Sequence, residues 1–265
     1  MSCIVSDSTG NPCGKDISPE GNHVQMCTRH LREHLAAQPK IRRVMIATPS
    51  YDGRLDVFYV NSLLETFRTW PDPNTVLVPI FMSYDSLIQR ARNDSLCMAL
   101  QNNFDDIIFI DSDISWEPKW LHKLLEYPVD VVGGTYRRKS DEFLSYVCKN
   151  TKNPAYVDTR TGLMKVDGLG CGFIRLSRRA MQYLWDASEP YVDRGEKRMV
   201  FEVVVEGKEM ISEDIYMCAK LNRGGFQVHL DPRMCCDHTG IKKFSGNFVD
   251  WYEELLDNLK KTNEP

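Results

Sequence analysis

The stretch FDDIIFIDSDISWEP, residues 104–118, leads four apolar residues, Ile107 to Ile110, directly into two aspartates, Asp111 and Asp113. A short apolar run bounded by polar residues predicts a fully buried strand of a parallel sheet. Such strands usually end in turn residues and not in paired negative charge. Because ligands of an open parallel sheet bind outside the carboxyl ends of its strands, we expect a positively charged group beside these two carboxylates.

Patterns typical of strands and helices alternate on both sides of this stretch. Apolar runs predict strands at residues 43–50, 74–82, 105–113, 129–138, 198–206 and 226–232, with shorter ones at 143–148, 163–170 and 172–177. Apolar residues at helical spacing predict helices at 56–70, 86–103, 118–127, 178–185 and 212–224, and an amphipathic helix from Phe248 onward. The alternation predicts one layered α/β domain over residues 41–265, with a mostly parallel central sheet and a C-terminal helix.

The composition is that of an ordinary soluble globular protein. The chain has 265 residues, of which 42% are hydrophobic and 26% are charged. No apolar run approaches the roughly 20 residues that a membrane helix requires, and the N-terminus lacks the features of a signal peptide. Nine cysteines, an odd number, favour a reducing compartment over a disulfide framework, so we expect a cytoplasmic protein. A net charge of −4 argues against tight nonspecific binding of nucleic acid.

We expect residues 1–40 to form a small unit and linker ahead of the α/β pattern. The unit holds three of the nine cysteines and three of the six histidines. Its pattern C-x9-C-x13-C-x2-H resembles small zinc knuckles of the phage type and predicts a structural Zn²⁺. The ligands in this pattern are Cys3, Cys13, Cys27 and His30, with His23 and His34 as alternatives. Free thiols in a flexible arm are the opposing hypothesis.

Several polar residues accompany the aspartate pair. Two carboxylates at a strand end can hold a divalent cation, and their oxygens suit Mg²⁺ or Mn²⁺, although a bare D-x-D more commonly caps a turn. Ser212 is typical of a helix cap, followed by Glu213 and Asp214 in the first turn. His238 follows the last predicted strand in a loop, where imidazole can complete a metal coordination shell. The glycine-rich segment 167–173 offers a backbone that a ligand can approach closely.

Taken in order, these motifs resemble nucleotide-sugar-dependent glycosyltransferases of the GT-A fold, especially compact ones of phages and bacteria. The motifs are IATPSYDGR (46–54), LIQRARNDSL (87–96), FIDSDISWEP (109–118), DVVGGTYRR (130–138), GLGCGFIRLSRRAM (168–181), SEDIYMCAKLNRGGFQVHLDP (212–232) and DHTG (237–240). The resemblance rests on the order of the motifs and not on any one of them. It implies a single Rossmann-like GT-A domain, a nucleoside-diphosphate sugar as donor, with a UDP-sugar favoured, and Mn²⁺ or Mg²⁺ as cofactor.

The resemblance also implies roles for residues that match the motifs of the family. Asp111 and Asp113 match its D-x-D, and His238 matches a histidine that often supplies a third metal ligand. Asp113 would be the stronger direct ligand, and Asp111 would contact the ribose or the ion. Glu213 and Asp214 match an acidic pair beside the acceptor, where Asp214 would be the general base of an inverting reaction. The family includes inverting and retaining enzymes, so the resemblance leaves the stereochemistry open.

Further positions match the donor and acceptor sides of the family's site. The donor positions are Pro49, Tyr51, Asp52, Arg90, Arg92, Asp111, Ser112 and Lys242, with Lys243 as an alternative to Lys242. The acceptor-side positions are Gly170, Cys171 and Gly172. The implied acceptor is a hydroxyl group, either on a glycan or on a hydroxymethylated base in phage DNA that the enzyme would have to reach or flip. A lipid-linked sugar or a protein is a further alternative, and for a phage protein the location would be the host cytoplasm. The segment YRRK, residues 136–139, provides local positive charge.

Two other classes of function fit part of the pattern. A nucleotidyltransferase or another metal-dependent phosphate-transfer enzyme would also place aspartates at strand ends, but the loop TPSYDGR has few glycines and only Arg54 as a basic residue. A non-catalytic binding module would leave the aspartates, the acidic pair and the histidine as unrelated surface residues, far apart in the fold. The mutual distances of Asp113, Asp214 and His238 therefore separate the hypotheses.

Overall fold

The structure is a computed structural model of the protein. It describes Cys13, Arg29 and residues 40–140, 145–149, 157–240 and 242–262, with side chains up to residue 260. Arg43–Pro265 forms one compact unit. The predicted zinc ligands Cys3, Cys27 and His30 lie outside the described residues, so the zinc site stays a prediction. In the described part of the chain, no helix is long and apolar enough to cross a membrane.

Helices are interspersed with strands along the domain. The described helices are α1 (Val57–Thr69), α2 (Ile88–Gln101), α3 (Pro118–Glu126), α4 (Arg178–Asp186), α5 (Glu213–Arg223) and α6 (Phe248–Thr262). The described strands are β1 (Arg42–Ser50), β2 (Thr75–Ser83), β3 (Asp106–Ile110), β4 (Ile114–Ser115), β5 (Val131–Tyr136), β6 (Cys148–Lys149), β7 (Met164–Val166), β8 (Gly168–Leu169), β9 (Phe173–Ser177), β10 (Pro190–Val192), β11 (Glu196–Arg198), β12 (Val204–Glu206), β13 (Glu209–Ile211), β14 (Val228–Thr239) and β15 (Lys243–Phe244).

The central sheet is mixed but mostly parallel, with the strand order β15-β14-β5-β9-β3-β1-β2. β3 pairs in parallel with β1, and β14 pairs in parallel with β5. β9 lies between β3 and β5 and is antiparallel to both. It follows that β1, β3, β5 and β14 run in one direction, so their carboxyl ends lie along the same edge. The predicted α/β class and mostly parallel sheet are confirmed.

β3 is buried on both faces, which explains the apolar run that precedes the aspartates. Ile107 and Phe109 pack into one hydrophobic cluster, and Ile108 and Ile110 pack into another. All four side chains are 0% exposed. Since alternate residues of a strand point to opposite faces, only a continuous apolar run satisfies both clusters. Full burial contributes roughly 1.5–3 kcal/mol for each such side chain.

Helices cover both faces of the sheet. α1 and α3 supply Tyr59 and Leu121 to the cluster that contains Ile108. α2 and α5 supply Leu96 and Met217 to the opposite cluster. β3 and the turn that follows it are therefore supported by packed helices on both sides, as in other layered α/β domains.

The predicted strand at 198–206 does not form as one element. β11 ends at Arg198, β12 begins at Val204, and the intervening Phe201 is 0% exposed. The N–H of Phe201 donates to Asn93 Oδ1 at 2.8 Å, and Asn93 Nδ2 donates to Phe201 O at 3.1 Å. The side chain of Asn93 on α2 thus forms the two hydrogen bonds to the Phe201 backbone that a neighbouring strand would otherwise provide.

The last strand is longer than predicted, which corrects the place of His238. The sequence predicts a strand at 226–232 with His238 in a loop beyond it, whereas β14 continues past Pro232. The pairing of β14 with β5 is irregular between Leu230 and Cys235. A proline is tolerated at such an irregularity because it has no N–H to donate to the ladder. His238 consequently lies within a strand, where it pairs with Ile114 of β4 and with Phe244 of β15.

Candidate active site

The turn that carries the D-x-D is fixed at each of its three residues by a different part of the fold. Asp111 follows the last residue of β3, and its N–H donates to Gly172 O at 3.2 Å. The N–H of the residue that caps α1 donates to Ser112 O at 2.9 Å. The N–H of Thr239 donates to Asp113 O at 2.8 Å. These bonds hold the turn at the carboxyl edge of the sheet, where ligands of parallel sheets bind.

His238 and Asp113 face each other across a short gap. His238 Nε2 lies 3.6 Å from Asp113 Oδ1. His238 Nδ1 lies 2.9 Å from Arg137 O, and because a carbonyl oxygen only accepts hydrogen bonds, Nδ1 carries a proton. In the neutral ring, Nε2 then carries a lone pair that faces a carboxylate. A cation between the two groups would be attracted to both. Metal-binding histidines are commonly oriented by such a hydrogen bond from the other ring nitrogen.

Asp113 also has a lysine partner. Lys139 Nζ forms an ion pair with Asp113 Oδ2, and the two side chains are 34% and 36% exposed. Burial acts to raise the pKa of Asp113, but His238 in its protonated form and Lys139 together outweigh it, so the pKa of this carboxyl lies below its ordinary value. Asp113 is therefore a negatively charged carboxylate at neutral pH.

The described residues offer two protein ligands for a divalent ion. Among these residues, no group of three or more His, Cys, Asp or Glu side chains is arranged to hold a metal. Asp113 and His238 nevertheless fit Mg²⁺ or Mn²⁺, because Mg²⁺ keeps several water ligands and takes further oxygens from substrate phosphates. Asp111, which the resemblance places at the ribose or the ion, is engaged by an arginine.

Arg92 joins the D-x-D to the acidic pair at the start of α5. Its Nη2 donates to Asp111 Oδ1 at 2.8 Å, and its Nη1 donates to Glu213 Oε1. The Arg92 side chain is 2% exposed. Burial acts to lower the pKa of Arg92, but the nearby acidic groups, Asp111 first, raise it, so the guanidinium keeps its charge. The resemblance places Arg92 near the nucleotide, whereas the structure buries it between two carboxylates.

The two residues of the acidic pair have different surroundings. Burial raises the pKa of Glu213; its partner Arg92 opposes that rise and Asp214 adds to it. Asp214 Oδ1 is bonded by neutral groups, the Ser212 hydroxyl at 2.5 Å and the Ile215 N–H at 2.7 Å. The described contacts thus leave Asp214 without the ion pair that holds Glu213.

A cavity of about 240 Å³ opens beside the D-x-D turn. It is lined by Pro49, Tyr51, Asp85, Ser86, Ile88, Ala91, Asp111, Ser112, Asp113 and His238. Six of these ten are site residues that the sequence predicts, and they come from the ends of β1 and β3 and from β14. The structure therefore brings the predicted metal ligands and part of the predicted donor site together. The acidic pair of α5 does not line this cavity and is connected to it through Arg92.

Besides the buried Arg92, the predicted donor residues Arg90, Asp52 and Lys242 do not line the cavity. Arg90 lies close by, because its Nη2 is 2.7 Å from Asp85 Oδ1, and Asp85 does line the cavity. Asp52 is exposed, and its Oδ1 accepts an N–H of its own turn at 3.1 Å. Lys242 is exposed, and its Nζ lies 5.3 Å from the ring centre of Phe244.

The predicted acceptor-side segment is buried against Tyr136. Gly170, Cys171 and Gly172 are all buried. A Cβ atom would lie 2.4 Å from the Tyr136 hydroxyl if added at Gly170, and 2.5 Å from Tyr136 Cζ if added at Gly172. The N–H of Gly172 donates to the same hydroxyl at 3.0 Å. Both glycines are therefore needed for the packing of Tyr136, whose ring centre lies 5.1 Å from that of His238.

Two residues of this site, Lys139 and Tyr136, have no role predicted from the sequence. Both belong to the segment YRRK at the end of β5, which the sequence marks only as locally basic. Their place follows from the strand order, because β5 lies next to β14 and Tyr136 pairs with Cys236, two residues before His238. A correct prediction that β5 lies beside β14 would have identified both residues.

Comparisons with known proteins give a similarity of fold. No protein-family model and no curated protein sequence matches the chain. Among solved structures, A197 from STIV is 16% identical, with a TM-score of 0.50 over 75% of this chain and 86% of that chain. At this level of identity the match shows a similar fold and nothing about function.

Two enzymes match more weakly. GalNAc-T7, in a structure with UDP, GalNAc and Mn²⁺, is 8% identical, with a TM-score of 0.39 over 76% of this chain and 44% of that chain. A UTP-bound UGPase from Acinetobacter baumannii is 9% identical, with a TM-score of 0.35 over 85% of this chain and 80% of that chain. These TM-scores are too low to support an inference about this chain.

Proposed function

We propose that the protein is a metal-dependent glycosyltransferase that moves a sugar from a nucleoside-diphosphate sugar to a hydroxyl acceptor. The observation that carries this proposal is the position of Asp113 and His238, 3.6 Å apart, at a cavity lined by four of the predicted donor residues. A non-catalytic binding module would leave these residues apart. The ordered motifs that resemble GT-A glycosyltransferases support the same class.

The donor is proposed to place its diphosphate and ribose at the cavity beside the D-x-D. Asp111 offers a carboxylate for the ribose, and Tyr51, 74% exposed, offers an aromatic face for the base. Asp113 and His238 would hold Mn²⁺ or Mg²⁺, which neutralises the charge that builds on the diphosphate as the sugar–phosphate bond breaks. UDP is the nucleotide that the motif resemblance favours.

Arg92 is proposed to position the two halves of the site. Its guanidinium contacts Asp111 on the donor side and Glu213 on the side of the acidic pair. The planar fork of an arginine offers donors in fixed directions, so one buried guanidinium can hold both carboxylates in a defined arrangement. In this role Arg92 touches neither substrate and acts through its two partners.

Asp214 is proposed as the general base. A base needs a carboxylate that is available to the acceptor hydroxyl, and Glu213 is engaged by Arg92. Asp214 accepts bonds from a hydroxyl and a backbone N–H, and no ion pair among the described residues neutralises its charge. The proton of the attacking hydroxyl would pass to Asp214 as the acceptor oxygen bonds to the sugar. A glycan hydroxyl and a hydroxymethylated base in DNA are the two acceptors proposed.

Donor turnover tests the proposal before the acceptor is known. UDP-, GDP-, dTDP- and CMP-sugars are incubated with the protein in Mn²⁺ or in EDTA, and release of the nucleotide is measured. We expect turnover of one donor, in Mn²⁺ only, and a loss on the order of 100-fold in Asp113→Ala.

The matched control is Asp237→Ala. The Asp237 carboxylate is paired with Lys243 at 2.5 Å and lines a separate cavity, so this variant should turn over the donor at the wild-type rate. Failure of every nucleotide sugar to bind or react, with and without metal, would contradict the proposal.

A further inference from the structure

Lys139 lies at the proposed metal site although a protonated lysine cannot bind a metal ion. Its Nζ is paired with Oδ2 of Asp113, while His238 Nε2 lies 3.6 Å from Oδ1 of the same carboxylate. The aliphatic chain of Lys139 passes Gly240, where an added Cβ atom would lie 3.1 Å from Lys139 Cδ. The glycine leaves space for the lysine, so its chain is packed against the site and does not extend freely into solvent.

Other cationic side chains near the D-x-D have different partners. Arg92 is shared by Asp111 and Glu213. Lys243 is paired with Asp237 at 2.5 Å and lines a separate cavity. Among the described ion pairs, the lysine that pairs with a carboxylate of the D-x-D is therefore Lys139, in the segment after β5.

We propose that Lys139 is an exchangeable cation that neutralises Asp113 in the free protein and the diphosphate of the donor during transfer. The inference rests on the proposed function. When Asp113 binds a divalent ion, the Lys139 ammonium leaves the carboxylate and turns to the diphosphate oxygens. The bond between the sugar carbon and the diphosphate oxygen then breaks, and its electron pair stays on that oxygen. Lys139 remains protonated throughout and stabilises the charge that develops there.

The exchange has two opposite consequences for a variant without the lysine charge. The ammonium group and a divalent ion are both positive and share one carboxylate, so each disfavours the other by competition and by repulsion. Removing the ammonium should strengthen metal binding by the free protein. The same change removes a positive charge from the leaving diphosphate, so turnover should fall. A merely structural role for Lys139 would not produce opposite changes.

Calorimetric titration with MnCl₂ and donor turnover at saturating Mn²⁺ test the exchange in Lys139→Met. We expect Mn²⁺ alone to bind this variant on the order of 10-fold more tightly than the wild type. We expect kcat to fall on the order of 100-fold, with a smaller change in KM for the donor. Lys139→Arg keeps the charge, so its Mn²⁺ affinity should stay near the wild-type value and its kcat should largely recover.

The matched control is Lys123→Met, which removes a lysine of similar exposure, 43%, that is paired with Glu126 on α3. It should change neither Mn²⁺ affinity nor kcat, and thermal melting shows that each variant is folded. Equal Mn²⁺ affinity in the wild type and Lys139→Met would overturn the exchange, as would an unchanged kcat. If the wild type binds neither Mn²⁺ nor any nucleotide sugar, the proposed function fails as well. If the wild type turns over a donor and Lys139→Met behaves like it, the exchange alone fails.

Discussion

Nη2 of Arg92 lies 2.8 Å from Oδ1 of Asp111, and the arginine side chain is 2% exposed. The same guanidinium holds Glu213, so one residue of α2 connects the turn after β3 to the first turn of α5. In the proposed mechanism, these two elements supply the donor-side and the acceptor-side carboxylates. The arrangement of both halves of the site therefore depends on one buried side chain.

Replacing Arg92 with leucine should destabilise the protein by about 3–5 kcal/mol, because the change leaves two largely buried carboxylates without their shared partner. Donor affinity should fall in the same variant, since Asp111 is no longer held at the cavity. Urea denaturation measures the first effect, and donor titration at a temperature where the variant is folded measures the second.

Arg90→Leu is the control for this prediction, because Arg90 lies on the same helix. It is paired with Asp85 and its side chain is 41% exposed, so its loss should change the free energy of unfolding by about 1 kcal/mol or less. Equal losses of unfolding free energy in the two variants would show that the Arg92 bridge does not stabilise the site.

Gly172→Ala should disturb the wall behind His238. The added Cβ would lie 2.5 Å from Tyr136 Cζ, so the ring must shift, at a cost of about 1–3 kcal/mol in unfolding free energy. Because Tyr136 packs against His238, Mn²⁺ affinity should fall as well. Gly207→Ala is the control: nothing lies within 4 Å of its Cβ position, and its φ of +64° accounts for a cost of about 1 kcal/mol. If Gly172→Ala retains wild-type Mn²⁺ affinity, this packing has no bearing on the site.

The raised pKa of Glu213 predicts a pH dependence of stability. A carboxyl whose pKa is higher in the folded state than in the unfolded state contributes its full stabilisation when the pH lies below the ordinary pKa of 4.5. This contribution is lost as the pH rises through the raised pKa of the folded state. Relative to Glu213→Gln, the wild type should therefore lose unfolding free energy across that window. Urea midpoints of both proteins between about pH 4 and pH 7 give the comparison. A wild type that gains stability relative to the variant over the same range would contradict the assigned direction.

Asp214→Asn should separate chemistry from binding. Asparagine keeps the size of the side chain and can still accept the hydrogen bond from Ile215, but it cannot take a proton from the acceptor. We expect kcat for donor turnover to fall by about 10²–10⁴-fold, with the donor dissociation constant unchanged. A kcat within a few-fold of the wild-type value would assign the base to another residue.

The sequence was sufficient to predict those parts of the structure that a local pattern determines. The apolar run Ile107 to Ile110 could be placed in a doubly buried strand, and that placement puts the two aspartates at the carboxyl edge of the sheet. The start of α5 at Glu213 also follows from its local signals.

The contacts that organise the site were less predictable, because they join residues far apart in the chain. Arg92 and Glu213 are separated by 121 positions, and their pairing depends on how α2 and α5 pack. The side chain of Asn93 replaces a strand partner for Phe201, 108 positions away, in a segment whose apolar pattern indicates a strand. Lys139 meets Asp113 only because β5 is placed beside β14 in the sheet. Strand order is a property of the whole fold and is not encoded in the spacing of any one motif.

The most direct measurement is calorimetric titration of UDP into the wild type and His238→Ala, each in Mn²⁺ and in EDTA. If Asp113 and His238 hold a divalent ion that receives the diphosphate, UDP binds the wild type in Mn²⁺ and not in EDTA. Loss of one of the two protein ligands should then weaken UDP binding in Mn²⁺ by at least about 10–100-fold. Metal affinity usually falls by that factor even when the residue lost only supports a metal ligand. UDP binding that is the same in EDTA, or that is unchanged in His238→Ala, would contradict the metal-dependent transferase.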